Sequence, residues 1–518
     1  MTTVKENKTY PALNRILWTV YMLLPTAAFV YGYVCDKTLP FFIILAASTA
    51  VWYILSRYVF GFTDYLLGFF PDDKSKDSGL RIFLIATAAT LAVLLLWFYA
   101  FFPGSFFQDS IDQYEQAVTG NYNTWHPVLH TFLFFTVPLK LAGGAAWSIV
   151  LFQMLLFAPV TGYICMVLYQ YKGVRTAVLA WIYIVLNPYT GLVLIYPIKD
   201  IPFAMAGGLA MIMTAQIAVT GGGWSSKLYR CILFGVSIAF AGILRHNGII
   251  FSALLIITLI LIMDRKAWIR VLVSFLVCFI LVKVPVNMML NVEDTPQSVM
   301  QAVGLPMTII GNCTVQTPEL LDEETAAFVY EIAPQTVWDE SYELGNIGIL
   351  KYYSDADMEV VERTGIGPIL KMAGSCIVRS PKASVKAILE LTDIVYGWDI
   401  KDQGYIGPQV IDNQFGLKTA WHEPMATILL TYYKLVRLHG YNFTRQISFG
   451  LIIMLTVILT VSDLKSARWW RRIAVCLPVF AYDFGTMLLL TSPDSRYFYI
   501  TYLVVPAVLL IMTYDRQT

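Results

Sequence analysis

The sequence is poor in charge. Only 14% of its 518 residues are Asp, Glu, Lys or Arg, and 57% are hydrophobic, whereas soluble domains run near ~25% and ~45–50%. That shortage excludes a water-soluble globular fold, and the mean hydropathy of +0.63 agrees. A net charge of +1 supplies no global field for nucleic acid or an acidic partner. Seven cysteines are scattered without paired spacing, so there is no metal or dithiol motif. Low-complexity tracts are missing too. The nearest thing to a repeat is Trp125-His126-Pro127, loosely echoed by Trp421-His422-Glu423-Pro424.

What the chain does have is apolar runs close to the ~20 residues a helix needs to cross a bilayer. They predict an all-α polytopic membrane protein of about 12 transmembrane helices, near 15–34, 40–60, 81–102, 147–170, 174–188, 200–219, 229–247, 249–263, 269–290, 446–463, 473–491 and 496–514. The first span follows Lys5, Lys8 and Arg15 and is too long for a signal-peptide core, so it reads as an uncleaved anchor. With the N-terminus in the cytoplasm, Lys74, Lys76 and Arg81, then Lys172 and Arg175, then Lys227 and Arg230 all fall inside. Arg265, Lys266 and Arg270 follow, as do Lys465, Arg468, Arg471 and Arg472. The positive-inside rule is then satisfied at every short basic loop, and the opposite orientation fails.

Three regions remain outside: 103–146, a short turn at 189–199, and a large loop at 291–445. The chain thus divides into an N-terminal transmembrane module at 1–290, an extracytoplasmic loop domain at 291–445 and C-terminal transmembrane helices at 446–518. The loop domain should be helical near 319–332, 354–363 and 425–438. Its Cys313 and Cys376 are candidates for a bridge in an oxidising compartment. Residues 127–141 are apolar but short and contain Pro138, which suits a re-entrant or interfacial segment.

Polar residues gather at the outer face. A short helix from about 109 to 118 would set Asp109, Asp112, Gln113 and Gln116 on one side, since i, i+3, i+4 and i+7 share a face. Asp109 could equally be a helix cap with Asp112 completing a box-like terminus, and His126 a turn residue before Pro127. Three further clusters share this level: Lys199-Asp200, Arg245-His246-Asn247-Gly248, and Asp494-Ser495-Arg496-Tyr497. Asp200 and Asp494 can cap helices, and Arg245 before Gly248 suits a helix C-terminus. Yet Lys199, Arg245 and Arg496 run against the positive-inside trend. A cation held in a membrane costs ~2.5–3.5 kcal/mol or more at mid-depth, so ionisable groups kept there mark function.

Such a set suits a sugar carried on a lipid phosphate. An acceptor hydroxyl must lose its proton to a carboxylate, and the departing phosphate needs Lys or Arg donors. Asp109 supplies the first; Lys199, Arg245 and Arg496 supply the second.

The acidic helix of the first outer loop, the Trp125-His126-Pro127 turn, the Lys199-Asp200 pair and Arg245-His246-Asn247-Gly248 resemble the GT-C superfamily of membrane glycosyltransferases. The likeness is to bacterial members related to the protein mannosyltransferase and aminoarabinose transferase group. The resemblance implies a GT-C-like bundle, a polyprenyl-phosphate sugar donor, an inverting single displacement, and a loop-one aspartate as base. Carried over, the base is Asp109, with Asp112 as fallback and His126 beside them. Gln113, Trp125, Lys199, Asp200, Arg245, His246, Asn247, Arg496 and Tyr497 are the candidate substrate contacts. The acceptor would be an envelope glycan, lipid or protein, the setting a bacterial cell membrane, with no nucleic acid involved. Where aminoarabinose transferases carry an Asp-Glu pair, this chain has Gln108-Asp109-Ser110, so donor identity does not transfer. Some members of the superfamily need a divalent metal; Asp109 and Asp112 could share Mg or Mn, but no full ligand set is visible.

A flippase or transporter also carries intramembrane charge, but it would show internal halves with broken helices near the midplane; here the polar residues sit at one face and the large loop interrupts any symmetry. A ligase for a whole lipid-linked glycan is the enzymatic alternative. A non-catalytic envelope scaffold would need no carboxylate beside cations at one depth.

The orientation is directly testable. Cysteines introduced near 320 and 355 should react with an impermeant maleimide in intact cells; modification only after permeabilisation would overturn both the orientation and the outer site.

Overall fold

The computed structural model describes residues 10–34, 38–69, 77–293, 299–352, 355–398, 407–439, 447–461 and 469–514. Lys5, Lys8, Lys74, Lys76, Lys465 and Arg468 lie outside the described residues. The protein is polytopic and almost wholly helical, as lipid requires: a helix satisfies its backbone groups within one segment.

The N-terminal module contains α1 (Ala12–Val34), α2 (Thr38–Leu67), α3 (Leu80–Ala100), α4 (Gln108–Thr119) and α5 (Val128–Leu141). Then come α6 (Trp147–Val185), α7 (Asp200–Val219), α8 (Leu228–Leu244), α9 (Gly248–Thr258) and α10 (Arg265–Met289). Helices α1, α2, α3, α6, α7 and α10 are long and apolar enough to cross a membrane. Helix α6 covers two of the predicted spans. Its 39 residues are too many for one straight crossing at ~1.5 Å per residue, and the chain leaves helical geometry at Gly173 (φ 76°, ψ 178°). A side chain there would be strained, so glycine sets the break between 147–170 and 174–188.

The expected turn at 189–199 is instead half helix. Pro188–Leu194 is helical and buried throughout, opened by Pro188 and capped by the Asn187 side chain, which accepts from the Tyr189 N–H. A proline at the first helical position with an Asn cap before it is a strong start signal, and the short apolar run conceals it. Segment α5 contains a π-helical stretch, Thr131–Thr136, and is short of a full span.

The loop region forms α11 (Gly304–Gln316), α12 (Glu323–Ile332), α13 (Ile366–Arg379), α14 (Pro381–Tyr396) and α15 (Met425–His439). Its apolar cluster is its own, built on Trp338, Met307, Ile310, Val329, Ile369 and Met372. Cys313 on α11 and Cys376 on α13 meet inside it as free thiols, and the hydrogen bond with Cys376 lowers the Cys313 pKa. Helix α14 leaves this cluster to pack on α1, and its Leu391, Ile394 and Val395 join the main transmembrane core. Further on, the loop returns to the N-terminal module: β1 (Phe101–Phe102) pairs antiparallel with β2 (Ala420–Trp421), and Ser105 Oγ donates to the Gly407 carbonyl at 2.6 Å. The chain ends with α16 (Ile447–Val461), α17 (Trp469–Met487) and α18 (Ile500–Tyr514), the last preceded by a 3-10 turn, Ser495–Phe498.

Candidate functional site

At one end of the bundle, α4 lies beneath the returning loop. Its last turn closes on Gly120 (φ 78°), whose N–H returns to the Gln116 carbonyl, a glycine C-terminal cap. Helix α4 begins after Phe107 without a side-chain cap, so Asp109 does not cap it and sits instead in the first turn, where the helix dipole favours a carboxylate. The predicted face is real, and its members divide. Gln113 turns inward: its Oε1 receives His130 Nδ1 at 2.6 Å and Thr131 Oγ1 at 3.2 Å, which pins α4 to α5. Gln116 Nε2 donates to Asp112 Oδ2 at 3.1 Å. Glu115, on another face, accepts from Gln414 of the large loop.

Asp109 and Asp112 open onto a pocket of ≈ 340 Å³ lined also by Gln108, Asn123, Trp125 and His126. Here His126, buried to 1% exposure, joins two elements: Nε2 lies 3.1 Å from Asp112 Oδ2 and Nδ1 lies 3.1 Å from Lys199 Nζ. An ammonium group can only donate, so Nδ1 accepts and the ring proton sits on Nε2, facing Asp112. Burial and the neighbouring Lys199 both lower the His126 pKa, which keeps the ring neutral as that pattern requires. Burial also lowers Lys199, to about 8, against the pull of Asp109.

Arg496 reaches the pocket from before α18. Its Nε pairs with Asp494 Oδ2 at 2.5 Å, Nη1 donates to the Tyr196 hydroxyl at 3.2 Å, and Nη1 stands 3.9 Å from Asp109 Oδ2. Asp494 also accepts the Arg496 N–H, so it caps the 3-10 turn as expected. Arg245 lies elsewhere. It is paired with Asp200, and both are nearly buried. Its guanidinium stands 4.7 Å from the Tyr497 ring centre, with Arg496 5.1 Å from the same ring. Asp200 is therefore the partner of Arg245 and not a cap.

A second cavity, ≈ 630 Å³, adjoins the first and shares His126. Its walls are mainly apolar, including Val128, Leu129, Ile243, Ile249 and Phe279, with His246 and Lys283 as its further ionisable groups. Burial lowers His246 to about 4, and its Nε2 lies 3.4 Å from the Trp125 carbonyl. Asn247 is the residue just before α9 and lines neither cavity. Sequence reasoning missed Lys283. The signal was there: a cation inside the apolar run 271–290, near its pocket end, where a lysine can snorkel. It missed Tyr196 and Asn123 too, which no local pattern marks.

No protein-family model and no curated protein matches the sequence. Among solved structures, the chain is similar to ArnT from Cupriavidus metallidurans bound to undecaprenyl phosphate, at 13% identity and a TM-score of 0.32, over 83% of this chain and 77% of that one. It is likewise similar to ArnT from the same organism in the apo state, at 14% identity and a TM-score of 0.32, over 82% and 76%.

The Asp200–Arg245 geometry yields a stability prediction. Arg245→Gln should destabilise the protein by ~3–5 kcal/mol, because it leaves a buried carboxylate unpaired. Adding Asp200→Asn should recover most of that in a detergent thermal-unfolding assay. No recovery in the double variant would show that Arg245 acts on something other than Asp200.

Proposed function

We propose that this protein is a membrane glycosyltransferase that moves a sugar from a polyprenyl-phosphate donor to a hydroxyl of an extracytoplasmic envelope glycan, lipid or protein. The observation that carries the reading is the adjacency of the two cavities: a polar pocket lined by two carboxylates, each with a cation behind its wall in Arg496 or, through His126, Lys199, opening beside a mainly apolar cavity. A sugar headgroup and a prenyl tail have the same division of polarity.

In this reading the acceptor oxygen attacks the anomeric carbon from the face opposite the phosphate. The new C–O bond forms as the sugar–phosphate bond breaks, with inversion; the hydroxyl proton passes to Asp109, and the bond's electron pair leaves on the phosphate. Lys199 and Arg496 balance that charge in a site of low dielectric, where fixed donors act most strongly. Asp112 is engaged by His126 and Gln116, which suits it to position the imidazole, and Asp109, in the first turn of α4 with Arg496 3.9 Å away, takes the role of base. Among the described residues no three His, Cys, Asp or Glu side chains form a metal site. A Mg or Mn ion would therefore need substrate phosphate and water beside Asp109 and Asp112, and no step here is routed through one.

Two outcomes follow. Asp109→Asn should insert and fold normally, bind donor nearly as well, and lose at least ~10²-fold in turnover, the lower end of acid–base contributions. Purified protein with radiolabelled polyprenyl-phosphate sugars and membrane acceptors is the assay, and a folded variant at the parent rate would falsify the assignment. The second outcome concerns pH. Lys199 loses its proton as pH rises through about 8, so kcat/KM for the donor should fall above that pH, since this ratio reports groups of the free enzyme. Lys199→Arg, charged throughout, should carry the fall to higher pH; an unmoved limb would remove Lys199 from phosphate binding.

A further inference from the structure

Helix α13 has two apolar faces, and the protein covers one of them. Ile369, Met372, Ala373 and Cys376 pack into the loop-domain core. On the other side Ile366, Leu370, Ile377 and Val378 are exposed, Val378 to 81%, and Val385 on α14 extends the patch. The charge along this stretch of chain is one-signed. From Ile366 to Leu389 the chain carries Lys371, Arg379, Lys382 and Lys386 and no Asp or Glu, in a protein whose net charge is only +1.

The position of this patch is set by α1. In the last turns of that membrane-spanning helix, the Tyr31 hydroxyl donates to the Lys382 carbonyl at 2.7 Å, and the Tyr31 ring stands edge-on to Phe41 on α2 at 5.7 Å. Helix α2 is an apolar span with none of its most apolar window buried, and Leu39, Phe42 and Ile43 at its start are exposed. The α13–α14 corner is thus tied, through Lys382 and Tyr31, to the level where α1 ends and α2 begins, beside the exposed apolar start of α2. That end of the bundle is the pocket end, because α3 also runs toward it to reach β1 and α4.

We infer that α13 is an interfacial helix, bedding the loop domain into the lipid headgroups at the pocket end, with a preference for anionic lipid. An amphipathic helix with apolar residues on one face and Lys or Arg at its margins lies in the interface plane, held by buried apolar area and attraction to anionic headgroups. Two of the four cations have partners within the domain: Lys371 meets Glu324 at 2.6 Å and Arg379 stands 4.0 Å from Asp322. Lys382 and Lys386 follow at the α13–α14 corner, next to Tyr31, where headgroups would lie.

The test uses the full-length protein in vesicles of phosphatidylcholine and phosphatidylglycerol. Leu370, Val378 and, as reference, the exposed Tyr330 of α12 are replaced singly by the photo-crosslinker p-benzoylphenylalanine, and peptides are analysed by mass spectrometry after illumination. Lipid adducts should form at 370 and 378 and be several-fold rarer at 330, and yields should fall several-fold when phosphatidylglycerol is left out. In parallel, a lipid-soluble diazirine applied to the unmodified protein should label the peptide spanning 366–379, which guards against misfolded variants. Adducts to a second copy of the chain, equal yields at all three positions, or an unlabelled 366–379 peptide would overturn the inference. So would yields indifferent to phosphatidylglycerol, for the anionic preference. No readout depends on glycosyl transfer, so this result and the proposed activity stand or fall separately.

Discussion

The ion pair between Asp200 and Arg245 is the contact around which the pocket end is organised. It joins the first turn of α7 to the end of α8, with both partners nearly out of solvent. Each partner then leads to a different half of the site. Asp200 follows Lys199, so fixing the start of α7 fixes the lysine that holds His126 and, through it, Asp112. Arg245 stands 4.7 Å from the Tyr497 ring centre and Arg496 5.1 Å from the same centre, so fixing Arg245 also bears on the cation beside Asp109. A buried pair of this kind adds little net stability compared with apolar residues of the same shape. What it contributes here is position, since breaking it would strand a charge among Phe203, Tyr497 and the apolar helix walls.

The same logic separates what could be read from the sequence and what could not. Local periodicity located α4 within a residue or two, because its polar face repeats at helical spacing. The Lys-Arg pattern and the apolar runs marked the spans, including the division of α6 at Gly173. Reading each charge by itself was less successful. Three cations expected at one membrane face looked equivalent in sequence, and only folding shows that Arg245 is already matched by a carboxylate 45 positions away, whereas Lys199 and Arg496 approach the pocket residues His126 and Asp109. The strand pair Phe101–Trp421 and the Ser105–Gly407 bond connect residues roughly three hundred positions apart. No window of local pattern contains them.

His126 shows how a weak sequence signal gains meaning from its surroundings. Beside Pro127 it is an ordinary turn residue. Inside the protein it is neutral, buried, and held between an ammonium that can only donate and a carboxylate that can only accept, which leaves it one tautomer. It also forms the shared wall of both cavities. Any molecule occupying both would pass the imidazole, with one end toward Asp109 and the other among Leu129, Ile243 and Phe279.

The placement of the loop domain bears on the same path. It is tied to the bundle at two places that differ in kind: α14 packs into the transmembrane core beside α1, and residues 407–421 are stitched over the first loop by backbone bonds. These ties leave the domain little freedom to swing as a rigid lid about one hinge. The Gln414–Glu115 bond adds a side-chain tie on the face of α4 turned away from the pocket, while the apolar cavity is walled by α5, α8, α9 and α10. In the proposed reaction, a donor whose tail follows the apolar cavity would bring its headgroup past His126 to Asp109, and the acceptor would have to enter through the polar pocket, because His126 is the wall the two cavities share.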